Sequence, residues 1–223
     1  MTSSHQHTSP QQTLPQIDIY CERVFAGLFD EPLNLLSNLA FMIAAVLLFV
    51  MARRHNISAP APYVLIALIF IIGIGSALFH SFATVWSKFA DVIPILIFQL
   101  AFIVTYARNI MGRGPFCIIG FLVLFTGLSV GAGTLPYDWL NGSLGYAPAL
   151  FFVLGFGVDH WRKHRTEPFV LLLAAAIFVV SLTFRSIDMT VCAALPVGVH
   201  YMWHILNAAV LYLSVRAVLV NMK

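Results

Sequence analysis

The sequence predicts an all-α, polytopic membrane protein, a bundle of seven transmembrane helices with its N-terminus outside and its C-terminus cytoplasmic. Three observations carry that prediction. Of 223 residues, 60% are hydrophobic and only 9% are charged. A soluble domain usually carries about 25% charged residues, so this chain has too little polar surface to cover a water-exposed body. Several uninterrupted apolar stretches approach the roughly 20 residues that cross a bilayer. Backbone polar groups in lipid must be satisfied within their own segment, and these long runs lack the alternation of barrel strands, so they are helices.

The spans fall at about 33–52, 62–82, 90–107, 116–135, 144–160, 168–186 and 197–217. The fourth is the clearest, with no charge from Phe116 to Leu135. Turn residues such as Ser58-Ala59-Pro60 and Gly112-Arg113-Gly114-Pro115 separate neighbouring spans. Orientation follows from Lys and Arg in the short loops. One side receives nine of them, Arg53, Arg54, Arg108, Arg113, Arg162, Lys163, Arg165, Arg216 and Lys223; the other receives three, Arg23, Lys88 and Arg185. The richer side is the cytoplasmic one. Residues 1–16 form a polar tail expected to be disordered, in which His5 and His7 are solvated, and it lacks the pattern of a signal peptide. Residues 17–223 make one domain. No internal repeat, glycine-rich phosphate loop or basic nucleic-acid patch occurs, so the membrane is the expected partner, nucleic acid is not, and no obligatory protein partner is evident.

Cys21, Cys117 and Cys192 are too far apart for a C-x-x-C motif. The topology puts Cys21 and Cys192 outside and Cys117 near the cytoplasm. Disulfides persist in oxidising compartments, so a Cys21–Cys192 bridge is expected.

Ionisable residues inside a membrane are costly and usually mark function. On the second span, Ser76 and His80 are four apart in GIGSALFH and share one helical face. On the seventh, His200 and His204 in HYMWH have the same spacing. Asp91 belongs to the expected first turn of the third span. The topology makes a test these residues might have failed. At 1.5 Å per residue His80, Asp91, His200 and His204 all lie within about 10 Å of the outer boundary, so they can meet.

Two histidines one turn apart bind a metal from a single helix face. A third imidazole from a facing helix completes three ligands and leaves a fourth position for water, which is the geometry of catalytic zinc. Nitrogen ligands alone also suit Cu, Fe or Ni. In such a site Asp91 fits the role of general base, and Ser76 that of donor to a developing oxyanion. Plainer readings exist for each residue. A lone membrane histidine is often just an interhelical hydrogen bonder, and Ser76 with Gly73, Gly75 and Ala77 also reads as small residues for close packing. His160 and His164 lie among cytoplasmic-end arginines and read as interfacial, and Arg185 with Asp188 as a local ion pair. Asn34, Ser37 and Asn38 form a polar stripe that either supports the site or joins helices. Phe79, Phe152 and Trp203 offer walls for an alkyl chain. Two other classes stay open: a haem protein with axial histidines, which a Soret scan would reveal, and a proton-coupled transporter with a His/Asp relay.

These residues also carry a resemblance. CE at 21–22, EPLNLLSNL at 31–39, GIGSALFH at 73–80, Asp91, the ID…C of 187–192 and HYMWHIL at 200–206 run in the same order as in the alkaline ceramidase family. That family belongs to a superfamily of seven-helix membrane hydrolases that includes adiponectin receptors and GPI-remodelling proteins. The resemblance covers the whole membrane region. It implies an intramembrane Zn2+ on His80, His200 and His204, with Ser76 and Asp91 catalytic. The implied reaction is hydrolysis of the amide of ceramide, a lipid substrate, to a sphingoid base and a fatty acid. Other lipid amides or esters, or a receptor-like relative, remain as alternatives with the same site. The resemblance further implies Ca2+ on Glu22 and Glu31, although Ile19 and Val24 stand at that motif's Asp and Asn positions.

Overall fold

The computed structural model describes residues 16–25, 27–136 and 139–222. The polar tail at 1–16, with His5 and His7, lies outside the described residues apart from Gln16. All regular structure among the described residues is helical: α1 (Pro32–Ser37), α2 (Leu39–Arg54), α3 (Pro60–Phe82), α4 (Val85–Thr105), α5 (Pro115–Gly133), α6 (Ala147–Arg162), α7 (Val170–Val191) and α8 (His200–Leu219). A π-helical turn, Tyr106–Ile110, extends α4, and a short 3-10 segment, Trp139–Tyr146, leads into α6. α1 and α2 together form one span, so the chain has seven helices long and apolar enough to cross a bilayer. It is an integral, multi-pass membrane protein.

Local sequence sets the helix starts. Proline occupies the first helical turn of α1, α3, α5 and α6, where its missing N–H would have had no partner. The third span begins at Val85, earlier than the hydrophobic pattern predicts. Thr84 caps it reciprocally with Ser87, whose hydroxyl accepts the Thr84 N–H at 2.9 Å. Asp91 therefore lies in the second turn of α4 and not in its first. α7 runs on to Val191, which puts Arg185 and Asp188 inside the helix.

The bundle buries Leu48, Leu65, Ile69, Ile72, Leu171 and Val215 at its centre. Its outer surface stays apolar: Phe116 is 89% exposed and Val123 66%. In water such a surface would aggregate; in lipid it is the solvated face. α3 and α4 pack along one another, joined by a turn in which Ala83 takes the left-handed conformation with φ 47°. Gly75 permits their closest approach, because a Cβ there would stand 2.0 Å from the Ala90 carbonyl oxygen. The end of α3, the beginnings of α4 and α8, and the end of α7 thus gather at one end of the bundle. Residues 16–23 are laced over that end, with the Ile17 N–H donating to the Ala83 carbonyl at 2.6 Å.

Candidate metal centre

His80, in the last turn of α3, and His200 and His204, in the first two turns of α8, are fully buried and converge. One ring nitrogen of each lies within 4.8 Å of the others. They lie close enough to bind a single metal ion. His80 Nε2 and His204 Nε2 face each other at 3.1 Å. Two imidazoles on a tetrahedral ion with bonds of about 2.0–2.1 Å stand about 3.3 Å apart, so this spacing fits.

The surrounding hydrogen bonds favour one tautomer for His80 and for His204. Glu31 Oε2 receives His80 Nδ1 at 2.5 Å. Burial raises the Glu31 carboxyl, but the hydrogen bonds from His80 and Asn34 and the charges of His80 and Arg23 outweigh it and hold the group below its ordinary range. As a carboxylate it only accepts, so His80 donates from Nδ1. Ser37 gives its single proton to the Asn34 carbonyl at 2.9 Å and therefore accepts His204 Nδ1–H at 2.7 Å. Both Nε2 atoms are then left with lone pairs, pointed at each other. Two lone pairs at 3.1 Å repel unless a metal ion, or a proton on one ring, stands between them. His200 adds a buried Nδ1 with no hydrogen-bond partner. The residues present thus fit a metal ion, and Glu31 behind His80 is the carboxylate–histidine arrangement that orients a metal ligand.

The backbone carrying His200 is held by Asp188, which is wholly buried in α7. Its Oδ1 accepts the N–H groups of Val199 at 2.7 Å and His200 at 2.9 Å, and its Oδ2 that of Cys21 at 3.0 Å. Asp188 is the anionic cap of α8 delivered from a neighbouring helix. No salt bridge joins it to Arg185 among the described residues, which corrects the local-pair expectation. Gly198 makes the contact possible. Its φ is +63°, and a Cβ would meet Asp188 Oδ1 at 2.3 Å. Arg185 instead donates to the Asn141 carbonyl at 3.1 Å and lies over the rings of Tyr146 and Trp203.

Ser76 is buried one turn before His80. The half-buried Asp91 side chain stands beside Ser76, within electrostatic range of His80 and Arg185. The five residues singled out in the sequence are therefore gathered at one end of the bundle. Cys21 and Cys192 are joined in a disulfide with Cα atoms 5.5 Å apart. Beside it, Tyr20 stacks on His200 at 3.7 Å between ring centroids.

The chain matches no family model and no curated protein.

Glu22 and Glu31 do not fit a calcium site. Glu22 spends both oxygens on the Leu33 and Asn34 N–H groups at 2.7 and 2.8 Å, capping α1. Glu31 divides its oxygens between Arg23 and the pair His80 and Asn34. The buried Arg23 guanidinium already supplies the positive charge there. His160 lies in the last turn of α6. It is fully buried, accepting from the Tyr106 hydroxyl at 2.7 Å and donating to the Thr166 carbonyl at 3.0 Å. His164 is exposed.

A narrow apolar pocket lies inside the bundle, with Phe98, Tyr146, Phe152, Phe178, Asn207 and Val210 among its walls. Asn207 follows His204 by one helical turn, and Tyr146 and Phe178 both pack on Trp203. Phe152 is thus a wall and Trp203 a neighbour of the pocket. Phe79 instead stands edge-on to Tyr20 and His80.

Sequence reasoning missed three supports: Glu31 on His80, Asp188 under α8 and Tyr20 on His200; Ser37 on His204 is the supporting role that the polar stripe of the first span left open. Asp188 carried a signal, since an acid inside an apolar run needs compensation. Glu31 and Tyr20 carried none beyond proximity to the first span.

Proposed function

We propose that this protein is an intramembrane, zinc-dependent amide hydrolase whose substrate is ceramide, released as a sphingoid base and a free fatty acid. The observation that carries the reading is the convergence of His80, His200 and His204, with Glu31 and Ser37 on the outer ring nitrogens of His80 and His204, beside Ser76 and Asp91. Three nitrogen ligands and an open position favour a catalytic ion over a structural one. Such an ion supplies Lewis acidity, polarising a carbonyl and acidifying water.

The chain's own residues do the rest. Asp91 takes a proton from the attacking water as the oxygen adds to the amide carbon. The Ser76 hydroxyl donates to the oxyanion that develops there. As the C–N bond breaks, Asp91 returns the proton to the departing nitrogen, so a carboxylic acid and an amine leave. The pocket beyond Asn207 gives the alkyl chain an apolar path. The Lys and Arg distribution and the Cys21–Cys192 disulfide both favour an extracytoplasmic position for this end of the bundle. The choice of a sphingoid amide rests on the resemblance of EPLNLLSNL, GIGSALFH and HYMWHIL to alkaline ceramidases.

Detergent-solubilised protein is expected to cleave long-chain ceramide, to ignore water-soluble acetamides and to lose activity with a zinc chelator. Each buried CH₂ contributes about 0.8 kcal/mol, so long chains are favoured. Cleavage of phospholipid esters with ceramide untouched would keep the centre and change the substrate. A Soret band would replace the hydrolase with a haem protein.

A further inference from the structure

Arg23 is buried at 6% exposure, yet it belongs to the segment preceding the first helix. Its guanidinium reaches four acceptors from separate parts of the chain. Nε donates to Glu31 Oε1 at 2.6 Å, and Nη2 to the His80 main-chain carbonyl at 2.9 Å. Nη1 donates to Gln16 Oε1 at 3.2 Å and the Gly27 carbonyl at 3.3 Å. Burying a guanidinium is costly unless its donors are matched this fully. A clasp for the N-terminal segment would not require that charge to face the carboxylate that holds His80.

Glu31 uses one oxygen for Arg23 and the other for His80. The Arg23 Nε–H therefore holds one carboxylate oxygen in place while the other meets His80 Nδ1, so Arg23 fixes the carboxylate that orients the imidazole. The same guanidinium grips the His80 backbone, so ring and main chain are fixed together. We propose that Arg23 is a positioning residue of the metal centre, acting through Glu31 to hold His80 Nε2 on the ion. This rests on the three-histidine reading above.

The test is metal affinity, measured by chelator competition with Zn2+ and by the visible spectrum of Co2+-loaded protein, in full-length protein in detergent. Wild-type protein binding no ion would defeat the metal-centre reading itself. With wild-type binding established, Arg23→Ala is expected to weaken affinity about 10–100-fold, the usual cost of losing an outer partner of a metal ligand, and to shift the cobalt bands. Arg23→Lys, which keeps the charge but not the fork, should recover part of the loss. In a Glu31→Gln background, adding Arg23→Ala should change little, because the route to His80 is already cut.

Wild-type affinity and spectrum in Arg23→Ala would overturn the proposal, as would a full additional loss in the Glu31→Gln background. If Arg23→Ala does not fold, Arg23→Gln, with similar length and no charge, takes its place with the same expected loss. Failure of both to fold in excess metal would overturn the proposal in favour of a purely structural clasp.

Discussion

Asp188→Asn is the substitution whose cost can be worked most directly from the structure. The side chain changes by one atom, so packing is kept. The carboxylate accepts three backbone N–H groups, from Cys21, Val199 and His200. An asparagine in its better orientation keeps its oxygen on Val199 and His200 and turns its NH₂ toward the Cys21 N–H, donor against donor. One buried donor is then unsatisfied, at about 1–3 kcal/mol, and the surviving bonds lose their charge assistance. The negative charge at the start of α8 is also gone, worth about 0.3–2 kcal/mol. The sum is a destabilisation of about 1–5 kcal/mol. Because the loosened turn carries His200, metal affinity should also fall by about 10–100-fold. Denaturant unfolding in detergent and chelator competition read the two effects. A variant that matches wild type in both would refute the role given to Asp188.

Three further outcomes are expected. Gly75→Ala drives a Cβ to 2.0 Å from the Ala90 carbonyl, so α4 must move away. Overpacking of this kind costs about 1–3 kcal/mol, and the displaced Asp91 should lower kcat/KM by about 10²-fold; a fully active, stable variant would contradict it. Asp91→Asn should retain the metal while kcat falls about 10²–10⁴-fold, and turnover at the wild-type rate would remove Asp91 from proton transfer. Cys192→Ser opens a bridge between residues 171 apart in sequence and should cost about 2–4 kcal/mol, seen as a lower melting temperature that reductant reproduces in wild type but not in the variant.

The spans and the three converging histidines were legible in the sequence for physical reasons. Long apolar runs admit few alternatives in lipid, and a histidine is expensive enough there that three at one depth stand out. The start of α4 was harder to read. Ser87 and Lys88 interrupt the apolar pattern and push its apparent start to 90, while the Thr84 cap sets the real one. Which histidine each support holds was not legible, because these contacts join segments distant in sequence. Glu31 meets His80 across 49 positions and Ser37 meets His204 across 167. No spacing rule connects such pairs. Asp188 and Arg185, three apart on one helix, suggested a local pair, yet the turn at Gly198 brings backbone donors that take the carboxylate first.

The central claim is that His80, His200 and His204 share one metal ion, and elemental analysis of purified protein tests it most directly. About one equivalent of metal per chain is expected in wild type, with loss of most of it in His200→Ala or His204→Ala, since two protein ligands hold an ion poorly. A wild-type protein purified and reconstituted with zinc that retains none, or a full equivalent in either variant, would contradict it.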